Sequence, residues 1–154
     1  EFLNAIQIKD DDIDLLFTLA ALLTENGEVN HAAEYYEKII KLDSKNKEAL
    51  QKLAAFREGI GDYKMQVTYL EKIVEIDSKD LTALKNLARA YERIKANRQA
   101  IDTYNRYLEL VKDPVDYKMA KERLDKLDSL GSSDAEESEG LLDKIMGFFG
   151  KNKL

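Results

Sequence analysis

Lys85, Arg89 and Arg93 stand at i, i+4 and i+8, a spacing that sets three cationic side chains along one line of a helix. Such a ridge suits electrostatic capture of an acidic ligand, and the plain alternative is a solvated charged face. No other group is placed for chemistry. His31 is the single histidine and cysteine is absent, so neither a histidine pair nor a thiolate can hold a metal. His31 reads as a surface residue between two helices. Asp10, Asp11, Asp12 and Asp14 lack the glycine and distal glutamate of a calcium loop and read as solvated, helix-capping residues. Gly59 and Gly61 follow no strand and precede no Gly-Lys-Ser/Thr, so they make no phosphate loop. The serines fall in turns and near the C-terminus, with no base placed beside them. No catalytic residue, metal or cofactor is expected, and the chain reads as non-enzymatic.

The elements carrying that ridge follow from composition. The 154 residues are 44% hydrophobic and 35% charged, with one proline and seven glycines. That mix is too apolar for a disordered chain, and the scarcity of turn residues favours long amphipathic helices. A net charge of −6 argues against a general nucleic-acid binder, which needs surplus Lys and Arg for phosphates. No apolar run reaches transmembrane length and no signal peptide is visible. Absent cysteine is compatible with a reducing compartment, and the expectation is a cytoplasmic protein.

Shifting the sequence by 34 residues brings it into register with itself. Leu16, Leu50 and Leu84 coincide, as do Leu19, Leu53 and Leu87, and then Ala20, Ala54 and Ala88. Further columns are Tyr36, Leu70 and Tyr104, then Ile39, Ile73 and Tyr107, then Leu42, Ile76 and Leu110. Each unit reads as two helices. Leu16, Leu19, Ala20 and Leu23 form one apolar stripe, Asn26-Gly27-Glu28 breaks it, and Ala32, Tyr36, Ile39 and Leu42 form the next. Small residues at 20, 54 and 88 let the helices of a hairpin approach. A single hairpin cannot bury its faces, so neighbours must stack.

The segments LFTLAALL (16–23), AEYYEKI (33–39) and LKNLARAY (84–91) resemble the tetratricopeptide repeat. The resemblance covers units 13–46, 47–80 and 81–113 and implies an all-α solenoid of stacked helix-turn-helix hairpins in a right-handed superhelix. Ser44 and Ser78 replace the family's usual proline, and Pro114 comes late. Arg57 replaces an aromatic residue, Gln66 an alanine and Lys95 the turn glycine, changes expected to weaken the middle unit's packing. The resemblance also places the first helix of each unit on a concave, peptide-binding surface. It thereby assigns Phe17, Ala21 and Thr24, then Gln51, Ala55 and Glu58, then Lys85, Arg89 and Arg93 to a groove. The implied ligand is a protein or peptide that is acidic with an apolar anchor. The clamp by which co-chaperone repeats grip a terminal carboxylate is missing, since Phe17, Ala21, Lys52, Thr82 and Asn86 occupy its positions.

At the ends, Phe2, Ala5 and Ile8 share columns with Tyr36, Ile39 and Leu42. Residues 1–12 therefore read as the end of an earlier, truncated repeat, and the chain, starting at Glu1, reads as a fragment or processed product. Residues 114–130 read as a capping helix with Tyr117, Ala120, Leu124, Leu127 and Leu130 on one face. Residues 131–140, GSSDAEESEG, have the composition of an acidic flexible linker. Residues 141–154 read as an amphipathic helix, with Leu141, Leu142, Ile145, Met146, Phe148 and Phe149 on one face.

That face has three open readings: docking on repeats, contact with a membrane surface, or contact with another partner. The expected function is an interaction scaffold or adaptor, with Asp134, Glu136, Glu137 and Glu139 as an internal ligand that makes the tail autoinhibitory. The alternatives are a self-assembling scaffold, homo-oligomeric through the open N-terminal end or C-terminal helix, and a membrane-peripheral assembly factor.

Overall fold

The repeat is written first in its caps. Asp12, Asn46 and Asp80, spaced by the same period, each use a side-chain oxygen to accept from the backbone N–H three residues on, at Leu15, Ala49 and Ala83. Satisfying an orphan donor in this way starts a helix. The computed structural model describes residues 12–130. Within them the capped segments are α1 (Ile13–Glu25), α3 (Lys47–Gly59) and α5 (Leu81–Arg93). Each is followed by a partner: α2 (Val29–Leu42), α4 (Tyr63–Ile76) and α6 (Asn97–Leu110). A seventh helix, α7, covers 114–130, and Asp113 accepts from the N–H groups of Val115 and Asp116 at its start. No strand occurs among the described residues.

The turn inside each hairpin needs one left-handed residue. Gly27 (φ 81°) and Gly61 (φ 76°) supply it, and Lys95 takes the same column at φ 60°. A side chain there costs on the order of 1 kcal/mol, and the neighbouring packing holds it. Hairpins α1–α2, α3–α4 and α5–α6 stack in chain order, α2 on α3 and α4 on α5. A single core runs from Leu16 through Leu50, Leu84 and Tyr104 to Leu127. Ala20 and Ala88 are wholly buried at the close approaches.

Polar columns also join the repeats. Arg57 on α3 donates to Glu37 on α2 at 2.8 Å, and one period later Tyr91 on α5 donates to Glu71 on α4. The acceptor column stays glutamate while the donor changes from guanidinium to phenol. Lys47 adds a further tie, pairing with Asp80 at 2.7 Å and Asp77 at 3.1 Å. These bonds hold Lys47 protonated more firmly than usual, the one to Asp80 first.

Four expectations need correction. The middle unit is not weakly packed: Leu50, Leu53 and Ile73 are fully buried, Gln66 is enclosed, and Arg57 gains Glu37 and Asp62 as partners. Leu42 and Ile76 leave their stripes and are exposed, because each closes its helix where the chain turns away from the core. In α7, Ala120, Leu124 and Leu127 are buried but Tyr117 and Leu130 are not, since the helix meets the solenoid along a narrower line. His31 lies within the first turn of α2, exposed, with Nδ1 3.1 Å from Glu28. Phe2, Ala5, Ile8, the acidic linker and 141–154 lie outside the described residues.

Candidate peptide-binding groove

Because α1, α3 and α5 share one register, equivalent positions line up across the stack. Gln51, Ala55 and Glu58 of α3 face Thr82, Ala83 and Asn86 of α5 across a groove of about 320 Å³. Its floor is Gln66, Leu70 and Ile73 of α4. Alanine at 54, 55 and 83 opens this space, while the amides of Gln51 and Asn86 and the hydroxyl of Thr82 give its rim both donors and acceptors. That is the complement of an extended peptide backbone.

A second, smaller groove of about 140 Å³ lies between α5 and α7 and includes Lys85, Arg89, Met119 and Arg123. Here the three-cation ridge divides. Lys85 is paired with Asp116 of α7 at 3.2 Å. Arg93 stacks its guanidinium over the Tyr63 ring, 5.5 Å from the centroid. Arg89 is exposed, with no ion pair among the described residues. In the first unit, Phe17 packs edge-on against Tyr36 with centroids 5.8 Å apart, and the Thr24 hydroxyl donates to the Ala20 carbonyl. Ala21 is exposed. These three line neither groove.

Residues that sequence reasoning did not assign to a site complete the α5–α7 seam. Glu92 accepts from the Tyr104 hydroxyl and pairs with Arg123 at 3.1 Å. Asp116 accepts from Tyr107 and from Lys85, and those two bonds, that from Lys85 first, hold its carboxyl below the usual range. Partners 31 residues apart, such as Lys85 and Asp116, carry no local signal. Burial and then the neighbouring carboxylates raise the phenols of Tyr91, Tyr104 and Tyr107, the last to about 12. A folded-state value above the unfolded value of about 10 gives stability that is complete below pH 10 and lost as pH rises through the folded value. The urea midpoint should therefore hold between pH 7 and 9 and fall steeply from pH 10 to 12. A chain carrying Phe at 91, 104 and 107 should show a shallower fall.

No group of three or more His, Cys, Asp or Glu fit to hold a metal occurs among the described residues. No helix among them is long and apolar enough to cross a membrane.

Comparison with known proteins agrees with this geometry. The fold is similar to a crystal structure of MamA protein, with TM-score 0.66 and 18% identity over 97% of this chain and 76% of that one. It is similar to the Yersinia enterocolitica type III secretion translocator chaperone SycD, with TM-score 0.64 and 16% identity over 80% and 88% of the two chains. The first TPR of Spaghetti (RPAP3), bound to the HSP90 peptide SRMEEVD, matches with TM-score 0.61 and 17% identity over 78% and 93%. No curated protein sequence matches significantly. Tetratricopeptide-repeat profiles match residues 13–46, 47–80 and 83–116, well over half of the chain, and the protein belongs to the tetratricopeptide-repeat family.

Proposed function

We propose that this chain is a protein-interaction scaffold that holds a peptide segment in the α3–α5 groove. The observation that carries the reading is the groove itself. Alanines make room between two helices, and side-chain amides and a hydroxyl are exposed along the rim. Lys85 and Arg89 lie beyond its α5 wall, where Arg89 adds a cation with no ion pair among the described residues. The ligand this favours is an extended segment whose backbone bonds to Gln51 and Asn86, with a small apolar anchor over Ala55 and an acidic residue toward Arg89. A scaffold of repeat hairpins bound to a peptide is seen in the RPAP3 domain. The acidic linker residues Asp134, Glu136, Glu137 and Glu139 are a built-in competitor for the same cation.

The test uses peptides selected from a displayed random library against the whole chain. Replacing the exposed Ala55 with Tyr fills the groove without touching the core. Affinity for the selected peptides should fall at least about tenfold, a loss of about 1.4 kcal/mol. Unchanged affinity in Ala55→Tyr, with helix content intact, places binding elsewhere and ends this reading.

A second reading, assembly of copies, is favoured by one observation. Leu19, Leu22, Leu23 and Tyr35 line an apolar groove of about 440 Å³ between α1 and α2. If copies use that surface, the sedimentation coefficient rises with concentration, and a peptide-holding monomer shows no such rise.

A further inference from the structure

α7 treats its two sides differently. Its outward flank carries the ion pair of Lys121 with Asp125, which suits a face meeting water. Its other side turns apolar residues to a cavity. Met119, Leu127 and Leu130 line a groove of about 660 Å³ against the α5–α6 turn, rimmed by Lys95, Arg123 and Lys126 and by Glu92 and Glu122. Met119 is 55% and Leu130 46% exposed, beside Lys95 and Lys126, while Arg123 on the same rim is already paired with Glu92. Exposed apolar surface next to fixed charge marks a contact.

We infer that this groove is the docking site of the chain's own C-terminal segment, 141–149. Three observations select that occupant over others. Leu130, the last described residue of α7, lines the groove, so the segment that follows it in the chain is tethered at the groove's edge. The ten residues 131–140 span at most about 35 Å, ample for a turn that brings 141–149 back along α7. The charges match as well. Asp134, Glu136, Glu137 and Glu139 fall in the connecting stretch, and Lys95 and Lys126 are the rim cations without an ion pair among the described residues. The apolar residues Leu141, Leu142, Ile145, Met146, Phe148 and Phe149 then cover Met119 and Leu130. The segment is held intramolecularly at the effective concentration set by its short tether. The same groove adjoins the α5–α7 seam through Met119 and Arg123, which line both cavities, so the docked tail sits beside Arg89. This docking does not depend on whether the α3–α5 groove takes a peptide.

Hydrogen–deuterium exchange on the full chain tests it against a full chain carrying Phe148→Asp and Phe149→Asp. Both substitutions lie outside the described core and leave its packing alone. Exchange in peptides covering 92–97 and 117–130 should be roughly tenfold slower in the unaltered chain, with α1 to α3 unchanged and no dependence on protein concentration. Met119→Asp on the groove side should abolish the same difference. Equal exchange in both chains overturns the inference. Protection that fades on dilution assigns the tail to a second copy and also overturns it. So does protection confined to the α1–α2 groove. Cosedimentation with phosphatidylserine vesicles without protection of α7 gives the segment to a membrane instead.

Discussion

Leu84→Ala is expected to lower stability by about 3 kcal/mol, within the range for removing a buried leucine side chain. Leu84 is wholly buried one turn into α5, in the column shared with Leu16 and Leu50. α5 packs against both its hairpin partner α6 and the preceding α4, so the cavity loosens two interfaces together. In a solenoid, stability is a sum of unit and nearest-neighbour terms, and an inner helix enters more of those terms than an end helix. Urea unfolding followed by circular dichroism measures the loss. Leu81→Ala, three positions back at the start of the helix, is the control. Leu81 is 38% exposed and its truncation should cost less than about 1 kcal/mol. Equal costs at the two positions would mean that the burial pattern of α5 is wrong.

The second large effect is expected at Glu92. One carboxylate accepts the hydroxyl of the buried Tyr104 and pairs with Arg123 of α7. Glu92→Ala leaves the phenol without its acceptor and the guanidinium without its counter-charge. The loss should be about 2–3 kcal/mol, most of it from the unsatisfied buried hydroxyl. Glu92→Gln keeps an acceptor and should cost about half as much. A Tyr104→Phe substitution added to Glu92→Ala should recover roughly 1 kcal/mol, because it removes the orphaned hydroxyl. Hydrogen exchange locates the damage: opening should rise first in α7 and leave α1 to α4 as they were. If Tyr104→Phe recovers nothing, the phenol was never bonded to Glu92.

These two cases divide the molecule as the sequence does. Leu84 was legible as a core residue because its column repeats with the period of the unit, and burial obeys that period wherever helices stack alike. The caps Asp12, Asn46 and Asp80 were equally open to reading, since a side chain and the N–H it caps are three residues apart. The fold was therefore carried by local pattern repeated three times.

The candidate site was legible only in part. Gln51, Ala55 and Glu58 do line a groove with α5, because register alone puts them opposite Thr82 and Asn86. Lys85, Arg89 and Arg93 share one helical line, yet they meet Asp116, open solvent and the Tyr63 ring respectively. Spacing fixes the direction in which a side chain leaves its own helix. What it meets there depends on which neighbour packs alongside and at what angle.

What the sequence determined by itself was the period, the two-helix unit, the caps, the turns at Gly27 and Gly61, and the core columns. Each rests on interactions a few residues apart or on a pattern that recurs every 34 residues. Tertiary structure alone decided which charges are spent within the molecule, how α7 packs against α5, and where grooves remain. Those outcomes depend on pairs such as Lys85 with Asp116 and Glu92 with Arg123, each 31 residues apart. Their meeting is set by how α7 docks, and α7 does not follow the repeat's apolar columns: Lys118 and Lys121, one period beyond Leu84 and Leu87, face solvent.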